Sequence, residues 1–314
     1  MTRFLIGRFA QAALQLAIVG SIAFLLVRLI PGDPARAALG DSASEEQVAA
    51  ARHAMHLDEP FWNQFLGFWE RLLHGDLGTS LISGRPIMAD LPARVGSSLE
   101  LVLISLALAV VIGIVFGRFA ATHADRPWDH VVVGGSILGI SLPVFVTGTL
   151  LLLVFAVLVP ILPPHRFTSL LEDPLAHLKL LVLPVVTLTL ASCAVVTRMT
   201  RSAMLETLSA DYVRTARAKG LAERLVVRRH ALRTALLPVV SATTVELTTL
   251  IGSTVLVETI LGWPGMSSLL MNAVGQRDYP VIQAVVLAAA TIVIVVNLIG
   301  DLAIRALDPR VEAR

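Results

Sequence analysis

Six long runs of apolar residues divide the chain and predict an all-α protein that spans a membrane. Each run approaches or exceeds the roughly 20 residues that an α-helix needs to cross a bilayer. The third run is long enough to tilt or to break at Pro143. The predicted spans cover approximately residues 9–30, 97–121, 131–159, 179–199, 239–261 and 281–304.

The polar segment 31–95, between the first two spans, reads as a helical insertion outside the bilayer. Ser44 and Gln47 have the spacing of a capping box, which predicts a helix that continues to about His56. Pro60 precedes a second predicted helix with aromatic residues along it. These aromatics could form a ligand platform, but we favour packing at the membrane interface or in a small core, since Trp is enriched at interfaces. They are Phe61, Trp62, Phe65, Phe68 and Trp69.

Composition supports the membrane assignment. Apolar residues make up 55% of the chain and charged residues 15%, and the mean hydropathy is +0.78. The net charge of +2 is too small to predict nucleic-acid binding. The lone cysteine, Cys193, excludes a disulfide within the chain. The first apolar run exceeds the roughly 7–15 residues of a signal-peptide core, which favours a retained span over a cleaved leader.

The distribution of lysine and arginine predicts the orientation. Sixteen of the 25 lie on one side of the spans, in the two termini, in residues 118–130 and in residues 198–238. The positive-inside rule places that side, with both termini, in the cytoplasm. The resulting divisions are 1–30 for the N-terminus and first span, 31–95 for the extracytoplasmic insertion, 96–305 for the membrane core with its cytoplasmic loop 200–238, and 306–314 for the tail.

The loop before the fifth span carries nine positive charges on a helix–Gly–helix pattern. Ser209 is expected to cap a helix that begins near Asp211, and Gly220 stands where a C-terminal cap belongs. A second helix is expected from about residue 222 to residue 236, with Pro238 at its join to the fifth span. A solvated basic hairpin would be enough to set the topology, but the compact turn at the glycine favours contact with a partner.

The residues of this loop resemble a segment of a known transporter family. The stretch Asp211-Tyr-Val-Arg-Thr-Ala-Arg-Ala-Lys-Gly220, followed by Arg-His-Ala-Leu-Arg233, is similar to the EAA loop of dipeptide, oligopeptide and nickel permeases of binding-protein-dependent ABC importers. The general EAA pattern is met only at Ala216, Gly220 and Leu232. The departures from that pattern are Arg214, Thr215, His230 and Arg233.

Further stretches resemble the same branch and together cover most of the length. The resemblance implies a MetI-like permease fold in the cytoplasmic membrane of a bacterium or an archaeon. The matching stretches are Leu29-Ile-Pro-Gly-Asp-Pro34, Gly75-Asp-Leu-Gly-Thr-Ser80, Glu258-Thr-Ile-Leu-Gly-Trp-Pro-Gly-Met266, Arg277-Asp-Tyr-Pro280 and Asp308-Pro-Arg310.

The resemblance also implies partners. The loop would form a coupling helix that docks on an ATP-hydrolysing subunit, with Ala216 and Gly220 at the contact. One or two such subunits would bind ATP and Mg, and a second homologous permease subunit and an external substrate-binding protein would complete the importer. The substrate would be a dipeptide or an oligopeptide, while glutathione, metal chelates and some sugars are also compatible with the family. The coupling residues that carry over are Asp211, Tyr212, Thr215, Ala216, Lys219, Gly220 and Leu221.

The chain itself lacks the motifs of an ATPase or of another enzyme. Its two lysines, Lys179 and Lys219, do not sit in a phosphate-binding loop, so ATP chemistry is expected in a partner. There is no nucleophile elbow and no zinc-protease helix, which leaves an intramembrane enzyme without support. His53 and His56 form the closest histidine pair, but no further ligands accompany them. We therefore predict no catalytic residue, metal site or bound cofactor in this chain.

Glu246 lies inside the fifth predicted span, where a buried charge is costly and usually indicates function. It is expected either to line a polar pathway, together with Thr248, or to pair with a polar group of a neighbouring helix. The alternative to an ATP-driven permease is an ion-coupled secondary transporter that uses Glu246 as its carboxylate. The lack of a visible inverted repeat weighs weakly against that alternative.

Overall fold

The structure is a computed structural model that describes residues 2–29, 34–39, 43–54, 57–162 and 167–307. Within these ranges the chain is almost wholly helical, which confirms the all-α prediction, and an isolated β-bridge pairs Thr79 with Pro86. Some features noted above lie outside the described residues. They are the centre of the stretch Leu29–Pro34, the expected helix end at His56, and Asp308-Pro-Arg310 with the rest of the tail.

Thirteen α-helices make up the described part of the chain. A 3-10 turn (Ile87–Ala89) and two π turns (Leu153–Leu158 and Val226–Ala231) supplement them. The helices are α1 (Thr2–Leu29), α2 (Pro34–Leu39), α3 (Glu45–Ala54), α4 (Phe61–Leu73), α5 (Leu91–Thr122), α6 (Pro127–Ser141), α7 (Val144–Leu152), α8 (Pro174–Leu208), α9 (Asp211–Ala218), α10 (Glu223–Leu225), α11 (Leu232–Leu261), α12 (Met266–Gln276) and α13 (Tyr279–Leu307).

The predicted six spans are found if a bent pair of helices is counted as one. α6 and α7 together are long and apolar enough to cross a membrane, but they are bent by 98°. The bend falls at Pro143, as predicted, because proline pushes the preceding Leu142 into an extended conformation (φ −80°, ψ 120°) and ends α6. The other five spans are Ile6–Leu25, Leu91–Thr122, Pro174–Leu208, Glu223–Leu261 and Tyr279–Leu302.

The chain folds as two compact units, one of residues 1–98 and 264–294, the other of residues 99–263 and 295–314. In the first unit, the predicted capping box opens α3. The Gln47 N–H donates to Ser44 Oγ at 3.3 Å, and the Ser44 N–H donates to Gln47 Oε1 at 2.9 Å. Two otherwise unpaired amide groups at the start of the helix are thereby satisfied.

The aromatic face of α4 packs against α1. The ring centroid of Phe24 lies 5.2–5.7 Å from those of Phe61, Phe65 and Phe68. Trp69 approaches Gly20 so closely that a Cβ atom added to the glycine would lie 2.6 Å from the indole. The aromatic stripe therefore packs the insertion onto the first span, whereas the sequence favoured packing at the membrane interface or in a small core.

Asp278 fastens the end of the insertion to the start of α13. Its side chain is almost completely buried, and both carboxylate oxygens are hydrogen-bonded. Ser80 Oγ donates to Oδ2 at 2.5 Å, and the Leu81 N–H donates to Oδ1 at 3.1 Å. These bonds compensate the carboxylate for the water that it loses on burial.

α8 is central to the second unit, where it packs against α6, α7 and α11. Its approach to α5 depends on two glycines. A Cβ atom added to Gly117 would lie 2.5 Å from the carbonyl oxygen of Thr197, and one added to Gly113 would lie 2.7 Å from the Val196 side chain. Such close contact of small residues is how membrane helices associate without a hydrophobic driving force.

Gly117→Val is therefore expected to lower the yield of folded protein, because the added side chain would collide with backbone atoms of α8 that cannot move alone. Overpacking of this kind costs about 1–3 kcal/mol. Gly135→Val on α6 is the matched control, since no described atom lies within 4 Å of a Cβ atom added there. The measurement is the amount of monodisperse protein after detergent extraction; equal losses in both variants would contradict the packing argument.

A buried ion pair joins α6 to α8. Asp129 is 1% exposed, and Arg201 donates to its two oxygens through Nε at 2.6 Å and Nη2 at 2.7 Å. The Asp125 N–H adds a third hydrogen bond, to Oδ2 at 3.1 Å. A bidentate, fully hydrogen-bonded pair of this kind offsets the large cost of removing a carboxylate from water.

Candidate functional site

The elbow, residues 211–225, begins with α9 and turns at Gly220. α9 ends in a Schellman motif, in which the Gly220 N–H donates to the Arg217 carbonyl at 2.9 Å and the Leu221 N–H donates to the Ala216 carbonyl at 3.4 Å. Gly220 has a φ of 76°, in the left-handed region that glycine enters without strain. The prediction that Gly220 caps this helix is confirmed.

The predicted N-terminal cap is wrong. Ala210 holds the N-cap position of α9 and makes no side-chain hydrogen bond there. Ser209 belongs to the preceding helix, because α8 runs to Leu208 and Ser209 is its C-cap. The Ser209 hydroxyl donates backwards to the carbonyl oxygen of Glu206 at 2.7 Å, so it cannot reach the amides of α9.

A small apolar cluster holds α9 against the helix that follows it. Val213, Ala216 and Val226 are buried, and Leu208 packs against them. Ala216, expected at the docking contact, thus lies on the inner face of α9, where its small side chain permits close packing. Ala216 therefore helps to hold α9 in place and does not belong to its exposed face.

Arg217 and Glu223 connect the two arms of the elbow across the glycine. Arg217 donates to both carboxylate oxygens, through Nε at 3.0 Å and Nη2 at 2.7 Å, and its Nη1 donates to the Leu208 carbonyl at 3.4 Å. The hydrogen bonds to Glu223 raise the pKa of the Arg217 guanidinium. Because the two side chains are 41% and 59% exposed, the pair restrains geometry more than it stabilises the fold.

The outer face of the elbow carries exposed apolar side chains among charged ones. Tyr212, Leu221 and Leu225 are each more than a third exposed, although all three are residues that a core could bury. Apolar groups presented on a restrained turn are typical of protein contacts. All the predicted coupling residues except Ala216 are exposed here: Asp211, Tyr212, Thr215, Lys219, Gly220 and Leu221.

The helix after the elbow is longer than predicted. It does not end near Leu236 but continues from Glu223 to Leu261, so that it is itself the fifth span. Pro238 lies inside it instead of marking a join. A proline is tolerated within a membrane helix because neighbouring groups can satisfy the carbonyl that it leaves free. The helix also contains the π turn Val226–Ala231, an irregularity that is frequent at functional sites.

Glu246 faces a cavity of about 140 Å³ within the second unit. Its side chain is almost fully buried, and its Oε1 accepts a hydrogen bond from Ser192 Oγ of α8 at 2.7 Å. The expectation that Glu246 pairs with a polar group of a neighbouring helix is therefore met, and the residue also lines this cavity.

The cavity lies where α8 and α11 meet the break in the third span. Residues on both sides of Pro143 complete its wall, so the bend makes room for it. α11 contributes residues three or four apart, which share one face of a helix. The lining residues are Ile140, Val144, Leu188, Ala191, Ser192, Val195, Glu246, Thr249, Leu250 and Ser253.

Thr248, the second predicted pathway residue, is not in this lining. Its hydroxyl lies 3.3 Å from Oδ1 of Asn297 on α13. On the same side, a Cβ atom added to Gly300 would lie 2.2 Å from the Thr244 side chain, so α13 packs tightly there. Thr249, one position and about 100° further around the helix, faces the cavity instead.

Sequence reasoning missed the residues that hold the site together. Arg217 and Glu223 are six positions apart on either side of a glycine, a spacing with no helical signal. Ser192 lies 54 positions before Glu246, and their contact depends on how α8 meets α11. The position of Glu246 in an apolar run did indicate that it needed a polar partner on a neighbouring helix, but not that this partner is Ser192.

Six apolar spans, one of them broken, with a charged elbow and a cavity that contains Glu246, are typical of a multi-pass membrane transport protein. The comparison with known families agrees. The chain belongs to the family described as "Binding-protein-dependent transport system inner membrane component", whose model matches residues 113–313, and the corresponding N-terminal family matches residues 1–84. It is therefore a permease subunit of an ABC importer, and an ion-coupled secondary transporter is not supported.

Curated relatives match along the whole chain. A probable peptide ABC transporter permease protein, y4tP of Sinorhizobium fredii, is 36% identical over 309 residues, which is 98% of this chain and 99% of the relative. The glutathione transport system permease protein GsiC of Salmonella choleraesuis is 38% identical over 312 residues, 99% of each chain.

Solved structures share the fold. The MetNI methionine ABC transporter in an inward-facing conformation matches with a TM-score of 0.57 and 21% identity, over 70% of this chain and 97% of that one. An amino acid ABC transporter crystallised with histidines matches with a TM-score of 0.51 and 16% identity, over 70% and 93% of the two chains. These matches confirm the predicted MetI-like permease fold.

Proposed function

We propose that this chain is one of two homologous permease subunits of an ATP-driven importer for peptides, a class that includes dipeptides, oligopeptides and glutathione. The names of its relatives support that substrate class. The positive-inside rule places the elbow and both termini in the cytoplasm and the insertion outside. One or two partner subunits bind and hydrolyse ATP with Mg, and an external binding protein delivers the substrate.

The main support for this proposal is that a single helix, Glu223–Leu261, contains both the end of the elbow and part of the cavity wall. The outer face of the elbow docks on the ATP-hydrolysing partner, and the Arg217–Glu223 pair fixes that face to the first turn of the helix Glu223–Leu261. Glu246 lies on the same helix, about 35 Å further along at 1.5 Å per residue. A displacement of the elbow is thus transmitted to the cavity by one element.

Glu246 acts in this proposal as a lining residue of the pathway. Its carboxylate attracts the terminal ammonium group of a peptide as it passes, and Ser192 keeps the side chain in place. A charge–charge hydrogen bond in a poorly hydrated site contributes more than a neutral one, about 1.5–3 kcal/mol.

Glu246→Gln is expected to weaken peptide uptake by roughly tenfold or more at low substrate concentration, since it removes the charge while keeping the volume and the acceptor for Ser192. Ser192→Ala, which keeps the charge, should have a much smaller effect. Uptake of a labelled dipeptide by proteoliposomes that contain the assembled importer is the measurement. Unchanged uptake in the Glu246 variant would contradict the proposal that this residue lines the pathway.

The proposal as a whole is tested by purifying the tagged chain from its own membrane in mild detergent. An ATP-binding subunit and a second permease subunit should copurify, and the binding protein with a peptide should stimulate ATP hydrolysis. Uptake assays with dipeptides, longer peptides and glutathione then define the substrate. A chain that transports a peptide alone, without ATP, would contradict the proposal.

A further inference from the structure

One carboxylate oxygen of Glu246 has no partner within the protein. The residue is 8% exposed, and Ser192 donates to its Oε1. No described residue donates to Oε2, and this oxygen is not sealed among the surrounding side chains, so it faces the cavity of about 140 Å³ that Glu246 lines. A carboxylate withdrawn from water needs a cation or hydrogen-bond donors in place of that water. Oε2 therefore points to a donor that enters this space, which we call the Glu246 cavity.

The other polar side chains of the Glu246 cavity have only acceptors left to offer a ligand. Ser192 gives its hydroxyl hydrogen to Glu246. Thr249 and Ser253 give theirs to the main-chain carbonyl oxygens four residues earlier, at 3.2 and 3.0 Å. Each hydroxyl oxygen keeps a lone pair, and none of the described lining side chains carries an N–H group. These side chains therefore suit a ligand group that is positively charged and only donates.

A primary ammonium group has this chemistry. It carries one positive charge, three N–H donors and no acceptor. One N–H can bind Glu246 Oε2 in a charge-assisted hydrogen bond, and the others can bind the hydroxyl oxygens of Thr249 and Ser253. A carboxylate or a phosphate in the same place would meet no donor side chain of the lining and would be repelled by Glu246.

The rest of the Glu246 cavity is aliphatic and small. Six apolar side chains can remove an aliphatic group beside the ammonium from water. The volume lies below the roughly 300–1,000 Å³ of sites that enclose a whole small molecule, so one end of a substrate enters. Thr249 is exposed, and the cavity is therefore open on that side of α11. The apolar residues are Ile140, Val144, Leu188, Ala191, Val195 and Leu250.

We propose that the Glu246 cavity selects peptides by their first residue. It binds the N-terminal ammonium group at Glu246 and an uncharged aliphatic first side chain at the apolar wall. This inference rests on the proposed function and narrows its substrate class. Glutathione is disfavoured, because its γ-glutamyl residue carries a carboxylate on the same carbon as the ammonium group. Peptides with a blocked N-terminus or an acidic first side chain are disfavoured for the same physical reasons.

The test measures binding of labelled leucinamide to the purified importer complex by equilibrium dialysis. Leucinamide reproduces the first residue of a peptide, with an ammonium group, an aliphatic side chain and an amide. N-acetyl-leucinamide lacks the ammonium group and leucine adds a carboxylate, so each should compete at least about tenfold less well than unlabelled leucinamide. Glu246→Gln should weaken leucinamide binding about tenfold or more, and Thr249→Val about threefold.

Thr259→Val is the matched control for Thr249→Val. Thr259 is an exposed threonine of the same helix, and its hydroxyl also donates to the carbonyl oxygen four residues earlier, but it does not line the cavity. This variant should bind leucinamide as the unmodified complex does.

Several results would overturn the proposal. They are a lack of saturable leucinamide binding, equal competition by the three compounds, unchanged binding in Glu246→Gln, and displacement of leucinamide by sodium chloride but not by choline chloride. The last result would assign the carboxylate to a metal cation. Dialysis requires neither the binding protein nor ATP, so the ammonium site can fail while copurification and stimulated ATP hydrolysis still support the importer.

Discussion

Gly220→Trp is expected to abolish substrate-stimulated ATP hydrolysis by the assembled importer while leaving membrane insertion intact. The glycine has a left-handed backbone, and a side chain there costs about 1–2 kcal/mol, too little to unfold a chain held by six spans. No described atom lies within 4 Å of an added Cβ atom, so the indole would project outwards from the elbow. It would occupy the space in which we propose that the ATP-hydrolysing partner docks.

A series of substitutions at Gly220 separates backbone strain from bulk. Gly220→Asn should retain most of the coupling, since asparagine tolerates the left-handed region better than other residues with a side chain. Gly220→Ala has the strain without the bulk and should lose only part of the stimulation. ATP hydrolysis with and without binding protein and peptide, together with the amount of copurified ATP-binding subunit, reports on each variant.

Gly75→Trp is the matched control for this series. Gly75 has nearly the same backbone angle, a φ of 75°, and equally open surroundings among the described residues, but it lies in the insertion after α4. Its substitution should leave the ATP-binding subunit bound. Full stimulation in Gly220→Trp, or loss of that subunit in both variants, would contradict docking at the elbow.

Much of the fold could be predicted because each membrane span is a continuous run of apolar residues in the sequence. The bend at Pro143 was predictable for the same reason, since proline acts through its own ring and its immediate neighbour. Gly220 was recognisable as a cap because the Schellman motif is local, and its requirements are met within six residues. These features depend on the chain near the residue and on little else.

Other features depend on tertiary contacts, which the local sequence pattern does not show. Ala216 was expected at the docking contact, but the sequence could not show which face α9 turns inwards, because that depends on contacts with Val226. Pro238 looked like a boundary, yet the helix passes through it within the second unit. The predicted pathway pair Glu246 and Thr248 are only two positions apart, and that offset places them on different sides of α11.

The burial of Asp129 and its pairing with Arg201 could not be predicted from the sequence either, because no pattern in the neighbouring residues indicates them. The pair is separated by 72 positions and forms only because α6 lies against α8. Its energetic role nevertheless follows from simple electrostatics. A carboxylate that is 1% exposed can stay ionised only while a cation and hydrogen-bond donors replace its lost water.

Arg201→Met is accordingly expected to destabilise the second unit by about 3–5 kcal/mol, because it leaves the Asp129 carboxylate buried without its cation. The double variant Asp129→Asn with Arg201→Met should recover most of that loss, since no charge then remains buried. Membrane proteins commonly unfold irreversibly, so the measurement is the fraction that stays monodisperse after heating for a fixed time.

Arg214→Met provides the matched control, because it removes the same type of side chain from a pair that is almost wholly in solvent. Asp211, its partner at 2.6 Å, is 91% exposed, and water replaces the lost interaction. This variant should behave as the unmodified protein does. If the double variant were as unstable as Arg201→Met alone, the loss would come from the packing of the arginine stem, and the stranded carboxylate would not be its cause.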